Sequence, residues 1–329
     1  MSNVLIGVLG AMMATNQPAA LSNLVTQTTG ISIAAVETNN VAEQELEKIE
    51  DSDDTAAAEV DGWIRQNEDF KAKGAGIPPA ELNRRIRARF APVQKSYEDF
   101  IQKYPKYADG RVAYASFLHD MGDEDGQSNQ LAKAIEIQPT LPSAWNNFGN
   151  YYGENGPITN AFVCYEKAIK LDPTESVYYQ NLGTMVYLYR HDVTNYYHIN
   201  EQQCFDKALL LYSNAMHCDP TNFPLATDVA MTYYGIKPLR TNDALTAWTN
   251  ALKLAHDDVE REGVYIHLAR IQLSVGHFAE AQARLDAVTN PMYNDLKDRL
   301  TRNLYRKEHP TNSTPTAADS PTNFPAKVP

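Results

Sequence analysis

The sequence predicts an all-α protein, an α-α superhelix built as a solenoid of helical hairpins, and three observations predict it. Between Leu141 and Thr174, Trp145, Phe148, Gly149 and Tyr152 fall at the i, i+3, i+4, i+7 spacing of one helix face. Ala161, Tyr165 and Ala168 repeat that spacing after a break at Gly156 and Pro157, so the stretch folds back on itself as two helices. Gly149 and Ala161 are small where the helices must approach closely, Trp145 and Tyr165 are large where the gap must be filled, and Pro173 stops the second helix. The third observation is recurrence. Pro139 and Pro173 stand thirty-four residues apart, and a hairpin of this size cannot bury both of its apolar faces without a neighbour on each side.

The pattern W-x2-F-G-x2-Y, then A-x3-Y-x2-A, then P resembles the tetratricopeptide repeat, with eight constrained positions agreeing within one period. The resemblance implies a superhelical array in which the first helices of successive hairpins line a concave groove for a segment of a partner protein.

Taken in order, residues 1–40 are rich in Thr, Ser, Asn and Ala and read as a leader or flexible arm. Residues 41–105 read as an N-terminal helical cap with a degenerate hairpin. Its first helix carries Leu46, Ile49, Ala57, Val60, Ile64, Trp63 and Phe70, with eleven carboxylates against four basic residues from Glu43 to Lys73. Gly74, Gly76, Pro78 and Pro79 break it, and a second helix from Pro79 to Tyr104 carries Arg84, Arg85, Arg87 and Arg89. Val93, Tyr97, Phe100 and Pro105 echo the spacing of Ala161, Tyr165, Ala168 and Pro173.

The array proper spans 106–305, with units at about 108–140, 141–174, 175–221, 222–258 and 259–290 and a capping helix over 291–305. In the first unit Tyr114, Ala115, Leu118, Leu131 and Ala134 face inward, while Arg111 stands in place of the tryptophan and Gln127 in place of the first alanine. The third has Tyr179, Leu182, Gly183 and Val186, then Ala208, Tyr212, Ala215 and Pro220, separated by an insertion HDVTNYYHINEQ from His191. Val229, Ala230, Tyr233, Ala244, Trp248 and Ala251 mark the fourth, and Leu268, Ala269, Gly276, Ala281 and Leu285 the fifth. Tyr293, Leu296, Leu300 and Leu304 form an apolar stripe opposite Lys297, Arg299 and Arg302, as a terminal cap requires. The tail 306–329 is rich in Pro, Ser and Thr and reads as disordered.

Composition narrows the function. A net charge of −12 argues against nucleic acid, because phosphate contact needs basic surface. The arginines of the second helix have a nearer partner in the acidic helix before them. No run of eighteen apolar residues suggests a membrane span. Val4 to Ala14 has the length of a signal-peptide core but no basic residue ahead of it, which favours the cytoplasm over export. Cys164, Cys204 and Cys218 fall inside second helices as small buried apolar residues.

No catalytic signature occurs: there is no G-x-S-x-G, P-loop, HExxH or CxxC. The best metal candidate is His191 with His198, with Asp192 or Glu201, but the favoured reading is a loop that packs Tyr196 and Tyr197 and leaves the histidines in water. Neither metal nor cofactor is expected. What remains is a surface, and the resemblance places it on the first helices. The positions after Trp145 are Asn146, Asn147 and Asn150, followed by Gln180, Asn181 and Thr184, then Thr227, Asp228 and Met231, then Ile266, His267 and Arg270. Asn and Gln carry donor and acceptor together, so a row of them suits a peptide backbone whatever its side chains. Val112 and Ser116 stand where members of the family that clamp a C-terminal carboxylate have basic and amide groups, which disfavours that mode. The expected function is a non-enzymatic adaptor that binds a partner polypeptide in the groove. The alternative is an accessory subunit that recruits substrate to an enzyme or to a secretion or assembly complex. Trp145→Ala is expected to cost on the order of 3 to 5 kcal/mol.

Overall fold

A computed structural model describes residues 33–309, with side chains from residue 41. Of the leader expected over residues 1–40 and the tail expected over 306–329, residues 1–32 and 310–329 lie outside the described residues. Within them every regular element is helical, as the sequence predicts, and the elements fall into two compact units that divide after Thr174.

The first unit holds α1 (Ile33–Ala72), α2 (Pro79–Lys103), α3 (Ala108–Asp120), α4 (Glu124–Ile137), α5 (Pro142–Asn155) and α6 (Ile158–Leu171). Helix α1 begins ahead of the expected Val41. Ala34, Ala35 and Glu37 favour helix, and neither glycine nor proline interrupts the chain between Gly30 and Gly62. Its inward stripe is Ala42, Leu46, Ala56 and Val60, whereas the expected Ala57, Ile64 and Phe70 are exposed. Buried Asn67 ends the stripe. Its Oδ1 accepts from Ile77 N at 2.7 Å and so fastens the turn into α2. The two helices run antiparallel, with Arg89 on Glu59 at 2.7 Å and Lys103 on Glu45 at 2.6 Å. Arg85 lies over the Trp63 ring at 4.0 Å, and Arg84 pairs within its own helix with Glu81. These exposed pairs contribute little stability but agree with one register. The core between α1, α2 and α3 is aromatic, with Tyr97 stacked on Tyr114 at 5.5 Å and tilted against Phe117 at 5.4 Å.

Helices α3 with α4 and α5 with α6 are the two hairpins read from the sequence. Gly122, with φ 73, ends α3, and Asp123 accepts from Gly126 N to begin α4. In α5 and α6, Ala161, Phe162, Tyr165 and Ala168 are fully enclosed. Gly149 is needed for that: a Cβ there would lie 2.7 Å from Tyr165 Cε1. Trp145 is only half-buried, which corrects its expected place as the gap filler. Its Nε1 donates to Pro139 O at 2.9 Å, so it ties the hairpin to the residue that ends the previous helix. Arg111 stands one period earlier and does the same, its Nη2 donating to Pro105 O at 3.3 Å. A guanidinium can replace the indole here because the position requires a donor and a flat cover more than a buried ring.

The second unit holds α7 (Ser176–Leu188), α8 (Arg190–Tyr197), α9 (Glu201–Cys218), α10 (Phe223–Thr232) with a 3-10 turn at Tyr233–Gly235, α11 (Thr241–Leu254), α12 (Asp258–Ser274), α13 (Phe278–Asp286), a 3-10 turn at Pro291–Tyr293 and α14 (Asn294–Glu308). Its cores follow the predicted positions: Leu182, Gly183 and Val186 against Ala208 and Tyr212, then Ala230 against Ala244, Trp248 and Ala251, then Ala269 against Ala281 and Leu285. Leu300 and Leu304 of α14 close the last layer. Helix α14 continues past residue 305 to Glu308, with Arg306 and Lys307 in its last turn where the helix dipole favours cations. A buried carboxylate fixes that end of the unit. Glu262 accepts from Thr289 N at 2.8 Å, Thr289 Oγ1 at 2.8 Å and Asn290 N at 2.7 Å.

The insertion after Arg190 is a helix and not the expected loop. Val193 is fully buried and anchors α8, while the Arg190 guanidinium lies 5.2 Å from the Phe205 ring and pairs with Glu201. His198 caps α8 with φ 54, and Asn200 with Gln203 forms a capping box that starts α9.

Candidate polypeptide-binding surface

The first helices of the hairpins are α3 and α5 in the first unit and α7, α10 and α12 in the second. Each unit presents its own set of polar side chains on them.

In the first unit the three asparagines have three different fates. Asn146 is buried and its Nδ2 donates to Asn147 Oδ1 at 3.3 Å. Asn150 Oδ1 accepts the Tyr165 hydroxyl at 2.8 Å, so it serves the core. Asn147 alone faces outward while reaching the preceding first helix, its Nδ2 at 3.5 Å from the exposed Ser116 Oγ. Each amide oxygen takes two hydrogen bonds and each amide nitrogen gives two, so Asn147 keeps one of each for a ligand. The expected row is therefore narrower than the spacing suggested, and it is held in place by the residues behind it.

In the second unit Gln180 Nε2 donates to Asp228 Oδ2 at 2.8 Å, which joins α7 to α10 across their facing sides. Thr184 Oγ1 and Tyr212 OH are 3.0 Å apart, and Asn181 is half-buried between these two pairs in sequence. Thr227 is turned back onto its own helix, at 2.6 Å from Pro224 O, and Met231 is exposed. Burial raises the Asp228 carboxyl above its ordinary value, and the Gln180 amide opposes that shift.

On α12 the expected contact residues belong to the interior. Ile266 is buried in the core, and His267 stacks on Trp248 with ring centroids 4.1 Å apart and planes 5° from parallel. The Tyr234 hydroxyl is 3.0 Å from His267 Nδ1, and the Arg270 guanidinium covers the Tyr234 ring at 4.5 Å. Burial, assisted by Arg270, lowers the His267 pKa to about 4, so the ring is neutral at physiological pH. His267 is a packing residue, and only Arg270 of this trio is exposed.

Sequence reasoning missed the hydroxyls. Tyr165 and Tyr212 read only as fillers, yet each puts its ring against a glycine, Gly149 or Gly183, and its OH on the next residue, Asn150 or Thr184. The signal was present as a Gly followed by a polar residue on the first helix, with Tyr four positions after the small residue of the second. An open depression of about 610 Å³ was missed as well; Phe148, Tyr151 and Tyr152 line it against Ser128, Asn129 and Lys133 of α4. His191 and His198 are both exposed at either end of α8, and His191 has Asn195 as its neighbour at 3.4 Å. Among the described residues no group of three His, Cys, Asp or Glu is disposed to hold a metal, and no helix is long and apolar enough to cross a membrane.

Comparison with known proteins agrees with this architecture. The tetratricopeptide repeat family model matches residues 142–175, which are α5, α6 and the turn that follows. The human Tetratricopeptide repeat protein 5 is 23% identical over 153 residues, 46% of this chain, and the chain spans about a third (34%) of that relative's length. Among solved structures, PilW, a type IV pilus biogenesis factor, aligns with a TM-score of 0.51 at 14% identity, over 74% of this chain and 98% of its own. YrrB, a TPR protein with an unusual peptide-binding site, aligns at 0.48 and 14% identity, over 65% of this chain and 99% of its own. At 14% identity the likeness to PilW is one of fold. The chain thus carries a tetratricopeptide repeat at 142–175, with hairpins of the same design on either side of it, an architecture that serves as a protein–protein interaction scaffold.

Proposed function

We propose that the chain is a non-enzymatic adaptor that binds a partner polypeptide on the outward sides of its first helices. The contacts are Asn147 with Ser116 in the first unit, and Gln180, Asn181, Thr184 and Asp228 in the second. One observation carries the reading. Side chains on successive first helices hold one another, Asn147 to Ser116 and Gln180 to Asp228, so they are fixed before a ligand arrives and still have unused hydrogen-bonding capacity. A peptide backbone offers alternating donors and acceptors, which such amides match without regard to its side chains. Nucleic acid is disfavoured by the net charge of −12.

The test is the pair Asn147→Ala and Asn181→Ala, assayed for capture of polypeptides on an array of immobilised peptides. Capture should fall while the thermal unfolding midpoint stays within a few degrees of the parent. Undiminished capture by the double variant would discard this surface.

A further inference from the structure

Asp228 differs from Asp206 and Glu262, two other carboxylates of the second unit held by hydrogen bonds. Asp206 has Arg240 at 2.7 Å, and Glu262 is satisfied by two backbone amides and a hydroxyl. Asp228 is half-buried, yet its side chain has one polar partner, the neutral Gln180 amide, and among the described residues no Lys, Arg or His lies within ion-pair distance of it. Removing a carboxylate from water without a counter-charge is unfavourable, and a glutamine or asparagine would make the same tie to Gln180 without that cost. The carboxylate sits between α7 and α10, near the Thr184–Tyr212 hydroxyl pair, and stays reachable from solvent.

We infer that Asp228 is a specificity-determining residue of the second unit, receiving the cationic side chain of a lysine or arginine in an extended polypeptide that lies along α7 and α10. This rests on the polypeptide-binding reading above and adds the charge that the partner must carry. Gln180 positions the carboxylate: its amide fixes Oδ2 and leaves the remaining lone pairs for an ammonium or guanidinium, an ion pair that a neutral side chain cannot make. The upward pull of burial on the Asp228 carboxyl agrees with a group that gains when a cation replaces lost water.

The experiment uses the full chain and two peptide pools of randomised sequence, identical except that one fixed central residue is lysine in the first and glutamine in the second. Binding is read by fluorescence anisotropy for the parent and for Asp228→Asn, whose amide oxygen still accepts from Gln180. The parent should bind the lysine pool about tenfold more tightly than the glutamine pool, and in Asp228→Asn the ratio should fall to near one. Raising salt from about 0.05 M to about 0.5 M should shrink the lysine preference of the parent, a reading that needs no variant. A parent that binds both pools equally, or a preference that persists in Asp228→Asn, overturns the inference and leaves the polypeptide-binding surface standing. A parent that binds neither pool removes both.

Discussion

Substituting alanine for glycine at three helical positions should give three different results. Gly62 lies inside α1 with no atom beyond its own stretch of helix within 4 Å of an added Cβ, so Gly62→Ala removes backbone freedom from the unfolded chain and stabilises by about 0.5–1 kcal/mol. Gly183 would place its Cβ 3.0 Å from Tyr212 Cε1 and 3.1 Å from Cδ1, contacts a small ring shift relieves; the propensity gain and the crowding nearly cancel. Gly149 would place it 2.7, 2.8 and 2.9 Å from three atoms of the Tyr165 ring, which is 1% exposed and tethered by its hydroxyl to Asn150. Overpacking of this kind costs about 1–3 kcal/mol, and displacing the hydroxyl adds about 1 kcal/mol. Set against the same propensity gain, Gly149→Ala loses roughly 1–3 kcal/mol. Urea denaturation followed by circular dichroism and by tyrosine and tryptophan fluorescence measures all three, with the two signals compared because repeat arrays can unfold in stages. Stabilisation by Gly149→Ala of the size seen at Gly62 would refute the argument that α5 and α6 touch at that glycine.

Further expectations follow from burial and charge. Trp145→Ala should cost only about 1–2 kcal/mol, for part of a ring and one hydrogen bond, whereas Tyr165→Ala should cost about 3–5 kcal/mol; chemical denaturation of the two variants gives the order. His267 holds a pKa of about 4 against 6.5 for the free side chain, so between those values the unfolded chain binds more protons and stability falls as the pH drops from about 6.5 to about 4. His267→Phe, which keeps the stack on Trp248, should flatten that part of the stability profile measured by thermal melts across the range.

The hairpins were legible because their logic is steric. Small residues at Gly149, Ala161, Gly183 and Ala208 and stops at Pro139, Pro173 and Pro220 specify where helices touch and end, and those features survive when Arg111 replaces the repeat's tryptophan. Helix α8 was not legible. Its eight residues carry one buried anchor, Val193, too few for a period to show, and its position is set by Arg190 reaching Phe205 and Glu201. The inward stripe of α1 was misread at Ala57 because Ala56, Ala57 and Ala58 are alike in sequence and only the packing against α2 chooses among them. On the binding surface, spacing identified the helices but could not say which polar residues serve the interior. Asn150 and His267 are drawn inward by Tyr165 and Trp248, aromatic partners on other helices that no local pattern pairs with them.

Site-specific photocrosslinking tests the functional claim most directly. A photoreactive phenylalanine analogue placed at Asn147 or Asn181 sits on a first helix, while the same group at Val163, 48% exposed on α6, or Leu210, 62% exposed on α9, sits on a second helix. With the lysine-containing peptide pool present, covalent adducts should form from positions 147 and 181 and not from 163 or 210. Adducts from the second-helix positions alone would contradict the account and move the binding surface to the opposite side of the hairpins.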